Sequence, residues 1–406
     1  MTREQIIVGL DVGTTAVKTV VAQKSRTQLL PQIVGWGSAD SRGIKKGVVD
    51  DIEEAALAIS ESFEKARAHA GIKFDEAIVS VGGDHVIVRP SRGIAMVSRA
   101  DRIISNEDIE RALAQASSLT PIPNRELLHN LPQAWSVDDD RAVKDPLGMT
   151  GSRLEVNTLL IEGFSKPIKD LRKAADLAGI RVKEIVFTPL AASRAILNRK
   201  QRDLGALVLD IGGGTTSLAV FEEGDITHAM VLPFGSHYVT RDLVKGLVID
   251  AESAEKLKKA HGSAFVESTS SRDMVDLKKF GGDKTVERKV IAEICEARFS
   301  EILEQVQKQV KSLKKSIYLP GGVVLTGGGS KIPRLDKLAK KELGLPTARG
   351  VAEEIIGPEE ILQDSSYATA LGLVMWGFDE GKVLVSQNDE EGFWRGLMNW
   401  LKKFAP

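Results

Sequence analysis

Two short stretches of this chain set an acidic residue, glycines and threonines in the order that grips phosphate: GLDVGTTAVKTVVA at 9–22 and VLDIGGGTTSLAVF at 208–221. Glycines let backbone N–H groups come close to an anion, threonine hydroxyls add donors, and an aspartate at the strand end can hold a hydrated divalent cation between phosphates. The phosphate-binding candidates are Asp11, Gly13, Thr14, Thr15 and Lys18 in the first copy, and Asp210, Gly212, Gly213, Gly214, Thr215 and Thr216 in the second. Asp11 and Asp210 are the candidate metal carboxylates, acting through water. A lone Gly-Thr turn is equally well plain hairpin chemistry, but its recurrence at about half the chain length implies two half-clamps facing one cleft. The ligand that fits them is a nucleotide with its metal.

In each copy a β-branched apolar run ends in the aspartate, passes the turn and resumes as an alternating run, which predicts strand, tight turn, antiparallel strand. Neither copy is a G-x-x-x-x-G-K-[ST] loop or a G-x-G-x-x-G turn opening a helix, which argues against P-loop and Rossmann folds. A third element, GGVVLTGGGSKIPRL at 321–335, predicts a strand over 323–326 and a triple-glycine turn. Gly327, Gly328, Gly329 and Ser330 are the adenosine candidates, since glycines leave a flat backbone wall for a base.

With these three elements in place, the chain resembles the FtsA family, the bacterial actin homologues that tether the tubulin-like division protein FtsZ to the membrane. The likeness runs from about Ile6 to Trp376 and includes HNLPQAWSVDD with DPLGMTGSRLEV (129–156), FTPLAASRAIL (187–197), LPFGSHYVTRDLVKGL (232–247), AEKLKKAHG (254–262) and YATALGLVMW (367–376). The DP-GM-G-RLE segment separates it from the rod-shape filament MreB and the heat-shock chaperones. The expected fold is α/β, an actin-like duplicated two-domain ATPase fold with an FtsA-type inserted subdomain and a C-terminal amphipathic helix. The resemblance implies ATP and Mg2+ as cofactors, with at most slow hydrolysis and no residue assignable as water-orienting base. It also aims Glu255 and Lys258 at the ribose and adenine, although two residues three apart on a helix face can equally form a surface ion pair.

The expected organisation follows the duplicated plan. Residues 1–83, with 167–197 and 365–386, form the nucleotide half of the first domain. Its helix over about 51–70 should carry Ala55, Leu57, Ile59, Phe63 and Ala66 on one side. Residues 84–166 form the inserted subdomain, with short strands and a capped helix near Ser105. It either contacts neighbouring subunits and late division proteins or only stabilises the fold. Residues 198–234, with 305–364, form the second domain's core. Residues 235–304 form its outer part, where the resemblance docks the FtsZ C-terminal tail. The chain departs from the family at Ser217 (usually Asp), Ser236 (usually Gly) and Ala16 (often Lys). Lys18 lies two residues on and therefore on the same side of an extended strand.

Composition sets limits. At 406 residues the chain is large enough for two domains, and 55 basic against 56 acidic residues give no general attraction to nucleic acid. The one cysteine, Cys295, excludes an intrachain disulfide, and the six histidines show no paired spacing and are expected as surface or core residues. No signal peptide or spanning segment is predicted, so the chain is expected to stay in the cytoplasm, and the resemblance implies a place on the cytoplasmic face of the cell membrane at the division septum.

After a polar linker at 387–391, the last residues read GFWRGLMNWLKKFAP. At about 100° per residue, Phe393, Trp394, Leu397, Met398, Trp400, Leu401 and Phe404 share one arc, with Lys402 and Lys403 on the opposite side. Aromatic residues beside lysines suit a helix lying in the interface of an anionic membrane at 392–406, although such a helix can also pack on its own protein. The implied partners are FtsZ, the chain itself in a filament, anionic lipids and late division proteins. Two rivals remain: an actin-fold small-molecule kinase, and a pilus-assembly adaptor like PilM.

Overall fold

The computed structural model describes residues 5–25, 27–118, 122–270, 272–313 and 319–379, so the tail at 387–406 and its membrane-facing residues lie outside the described residues. The duplication expected from the hairpins is present. One five-stranded sheet runs in the order Arg181–Phe187, Glu76–Val81, Gln5–Val12, Ala16–Lys24, Gln32–Asp40. The other runs Asp225–Leu232, Thr216–Glu222, Ala206–Ile211, Val323–Thr326, Thr347–Arg349. In each, the Asp-tipped strand has its hairpin partner antiparallel on one side and a parallel neighbour on the other. The registers match as well: Asp11 lies opposite Lys18 and Asp210 opposite Ser217. Both central strands read as continuous apolar runs because helices cover both faces.

The helix Ile52–Ala70 begins where Asp51 accepts hydrogen bonds from the N–H groups of Glu53 and Glu54, and it ends at Gly71 with φ 65°. Its buried side is Ala55, Ile59, Ser62, Phe63 and Ala66. Leu57 does not join them and is 56% exposed. Two steps of about 100° turn it away from the stripe that Ala55 and Ile59 share.

Residues 87–164 form a separate sheet, ordered Ile87–Met96, Arg153–Phe164, Arg125–Val137, Asp140–Val143. The first is one ten-residue strand where shorter ones were expected. It tolerates Pro90 because it is an edge strand, and Pro132 sits inside the sheet at a register shift where a ladder bond is already lost. The helix Asn106–Ser118 buries Ile109, Ala112, Leu113 and Ala116 against Trp135, Val137, Leu154 and Val156. Ser105 donates to Asp108 from both its N–H and its hydroxyl at the helix start.

A boundary after position 304 falls inside the single helix Arg288–Ser312. Its buried residues Ile291, Cys295, Phe299, Ile302 and Val306 join one core with Leu207, Leu209 and Leu325 of the second sheet, so the outer part of this domain is continuous with its centre. Among the described residues, no helix is long and apolar enough to cross a membrane.

Candidate functional site

The two hairpin tips meet across a cavity of about 640 Å³. Asp11, Gly13, Thr14, Thr15 and Lys18 line it from one sheet, and Asp210, Gly212, Gly213, Thr215 and Ser217 from the other. Gly327, Gly328, Gly329, Glu255 and Lys258 complete the set brought together from the sequence candidates. Strand register puts the two aspartates there, since each ends a central strand whose next residues must turn.

The carboxylates lie on a desolvated floor. Asp11 accepts a hydrogen bond of 2.8 Å from the Ser80 hydroxyl, whose oxygen accepts from the Val12 N–H at 3.1 Å. Burial raises the Asp11 pKa, with Lys18 and Ser80 pulling it back. Asp210 is pushed up to about 7, first by burial and then by the charge of Asp11. Two carboxylates that disfavour each other's ionisation in a walled pocket suit a divalent cation, which would relieve both. Among the described residues no group of three or more His, Cys, Asp or Glu side chains is placed to bind a metal. A cation at Asp11 and Asp210 would therefore need water or ligand oxygens as further donors, which is the hard-cation pattern.

The second turn is closed by the Gly212 N–H, which donates to the Thr215 carbonyl at 2.9 Å. The Gly212, Gly213 and Thr215 carbonyl oxygens converge where a Cβ on Gly235 would lie, at 2.6, 2.7 and 2.8 Å. Ser236 and His237 donate their N–H groups to Gly212 and Gly213 carbonyls, both at 2.9 Å, and tie the helix His237–Leu247 to the turn. On the first tip the Thr14 hydroxyl accepts from the Gly47 N–H at 2.9 Å.

At the other end, Lys258 and Glu255 form an ion pair of 2.6 Å. This is no surface pair, because Lys258 is only 8% exposed and also donates to Thr240 Oγ1 at 2.9 Å and to the Ser236 carbonyl at 3.2 Å. Burial lowers the Lys258 pKa against the pull of Glu255. Burial alone would raise Glu255, but Lys258 and Thr240 more than offset it, so its pKa falls and the carboxylate stays ionised. Gly327 takes φ 82°, and a Cβ there would stand 2.1 Å from Asp210 Oδ1. This glycine brings the third turn against the carboxylate floor.

Three sequence candidates do not line the cavity. Ser330 is fully buried and its hydroxyl holds the Gly327 carbonyl at 2.7 Å and the Ser365 hydroxyl at 3.0 Å, so it braces the turn from behind. Thr216 is fully buried and donates to the Phe234 carbonyl at 2.9 Å, because alternation along the strand points it to the far face. Gly214 packs on the first hairpin, where a Cβ would meet Thr14 Cγ2 at 2.9 Å and Lys46 Cα at 3.1 Å.

Sequence reasoning missed other lining residues: Asp40, Thr188, Ser236, His237, Lys331, Ser365, Ser366 and Thr369. His237 lines the cavity with its Nε2 3.1 Å from Thr15 Oγ1 across the cleft. Small residues just before helices, as in FGSH and FTP, were the available signal for several of them.

The family model "Cell division protein FtsA" matches residues 207–372, and "SHS2 domain inserted in FTSA" matches 83–162. The chain is 33% identical to the cell division protein FtsA of Bacillus subtilis, over 94% of this chain and 86% of that protein. It is 31% identical to that of Pseudomonas aeruginosa, over 93% and 90%. Among solved structures it resembles a PilM–PilN type IV pilus biogenesis complex (TM-score 0.66, 19% identity, 91% of this chain and 98% of that one). It also resembles MreB5 of Spiroplasma citri bound to ADP (TM-score 0.51, 15% identity, 91% and 94%). At such identities these two likenesses establish the fold alone, an actin-like one.

Proposed function

The chain belongs to the FtsA family of cell-division proteins, and from that premise we propose that it binds ATP with Mg2+ in the cleft, polymerises on the inner face of the cytoplasmic membrane and tethers FtsZ filaments there. The observation that carries the nucleotide reading is the pair of Asp-tipped hairpins, matched in register, that face each other across one cavity of about 640 Å³. Asp11 and Asp210 hold the cation through water, the hairpin amides with Thr14, Thr15 and Lys18 hold the phosphates, and Gly327 to Gly329 with Glu255 and Lys258 hold the adenosine. The bound ADP named for the MreB5 structure supports the same assignment. The cation supplies charge neutralisation between the phosphates when bound.

Both carboxylates of the floor are then committed to the cation, which leaves hydrolysis slow at most and makes ATP an assembly ligand. Its differential affinity for the closed cleft favours the polymer-competent state. The outer part of the second domain takes the FtsZ tail, the inserted subdomain meets neighbouring subunits and late division proteins, and the terminal helix holds the membrane. Titrating the purified full chain with a fluorescent ATP analogue, with and without Mg2+, tests the site. A column carrying the FtsZ C-terminal tail peptide tests the tether. Metal-independent or absent nucleotide binding overturns the first reading, and failure to retain the protein overturns the second.

A further inference from the structure

Thr15 at the tip of the first hairpin and His237 at the start of a second-domain helix meet side chain to side chain, Oγ1 to Nε2, at 3.1 Å. Gly213 lies directly against both. A Cβ there would stand 2.1 Å from Thr15 Oγ1 and 2.8 Å from His237 Nε2, so the contact closes only because that side chain is missing. The His237 backbone is tied to the same turn, because its N–H is bonded to the Gly213 carbonyl at 2.9 Å. All three residues line the cavity.

We infer that His237 is a positioning residue for phosphate: it holds the Thr15 hydroxyl and the first hairpin tip against Gly213, so that a nucleoside di- or triphosphate meets both hairpins in one closed geometry. The inference rests on the nucleotide reading of the cavity. The ring works as a neutral donor. Burial, helped by the nearby Lys258 charge, holds its pKa below the usual histidine value. With the proton on Nε2 it donates to Thr15 Oγ1, which leaves the Thr15 O–H free for a phosphate oxygen. The reverse tautomer would turn the Thr15 proton away from the ligand.

The test is isothermal binding of ATP, inorganic tripolyphosphate and adenosine to the full chain and to four variants. His237→Ala should weaken ATP and tripolyphosphate about five- to tenfold, the range of one lost net hydrogen bond, and leave adenosine unchanged. Thr15→Val, which also removes the hydroxyl that meets the phosphate, should weaken both at least as much, and the double variant should lose no more than Thr15→Val alone. His237→Gln, which places an amide N–H near Nε2, should recover most of the loss. Unchanged tripolyphosphate affinity in His237→Ala, losses that multiply in the double variant, or an equal loss for adenosine each overturn the positioning role. If the unaltered chain binds neither ATP nor adenosine, the nucleotide reading itself fails and this inference falls with it.

Discussion

Gly372 touches Ala191 backbone to backbone: a Cβ on Gly372 would stand 1.7 Å from the Ala191 carbonyl oxygen. The helices Ala368–Asp379 and Thr188–Ile196 cross at this point, and Gly9 of the central strand lets the first of them approach its other side, where a Cβ would meet the Ala370 carbonyl at 2.6 Å. Each helix presents a threonine, Thr369 and Thr188, to the cavity. The crossing therefore sets one wall of the site.

Gly372→Ala should separate these helices, because backbone cannot yield as a side chain does. Overpacking costs about 1–3 kcal/mol, and contact with a carbonyl puts this case at the upper end. Thermal unfolding should show a lower Tm, and the fluorescent ATP analogue should bind more weakly. A variant with unchanged Tm would mean that the helices can slide apart freely.

Asp210→Asn should separate stability from binding. The folded pKa of Asp210 lies near 7, above its ordinary 3.8, so the folded state holds a proton that the unfolded chain releases. The stability tied to that proton is present below about pH 4 and lost as pH rises toward 7. Without nucleotide, the variant should match the unaltered protein at pH 4 and exceed its Tm at pH 8. It should at the same time lose the Mg2+ dependence of ATP binding. A lower Tm at pH 8 would show that the ionised Asp210 is not a cost to the fold.

Much of the site was legible because its chemistry depends on local sequence. Asp11 and Asp210 are placed by strand and turn within a few residues, and period-two alternation is robust there. Ser330, Thr216 and Gly214 fall outside the cavity lining because a turn's glycines, serines and threonines face several ways, and only the folded neighbours decide which. Thr188 and His237 had only a small residue before a helix as their signal, and Thr369 had none, since it reaches the cavity from a helix whose approach is set by long-range contacts such as Gly372 on Ala191. Leu57 was an error of period, a strand-like spacing read onto a helix.

That error makes a direct comparison. Phe63→Ala should cost about 3–5 kcal/mol, because the ring is 1% exposed and packs edge-on to Phe74 at 4.9 Å. Leu57→Ala, at 56% exposure, should change stability by about 0.5 kcal/mol or less. Urea unfolding of the two variants settles it. Comparable losses would place Leu57 in an interface with another chain or segment.

Charge reversals on the exposed faces of the second domain's outer helices should abolish retention on the FtsZ tail peptide without altering ATP affinity. Lys256, on helix Ala251–His261, and Lys289, on helix Arg288–Ser312, are suitable sites because both side chains are well exposed, at 66% and 43%. Loss of both activities together would indicate misfolding, and retention by the doubly reversed protein would move the docking surface elsewhere.

Trp400→Glu should release the protein from anionic liposomes, whereas Asn399→Glu should have a much smaller effect. Both changes add one negative charge to the tail, but in the helix proposed from the sequence position 400 would fall in the apolar arc and 399 on the polar side, so only the first would have to be driven into the acyl boundary. Burying a large apolar side chain is worth roughly 1.5–3 kcal/mol, and an isolated helix this short is marginal in water. One tail should hold weakly for that reason, and polymerisation should multiply weak anchors into firm attachment by raising their effective concentration. Co-sedimentation with liposomes should accordingly be stronger with ATP than without it, and truncation after Asp389 should abolish it in both conditions. If the truncated protein still pellets with lipid, or the two glutamate variants behave alike, the membrane contact belongs to another part of the chain.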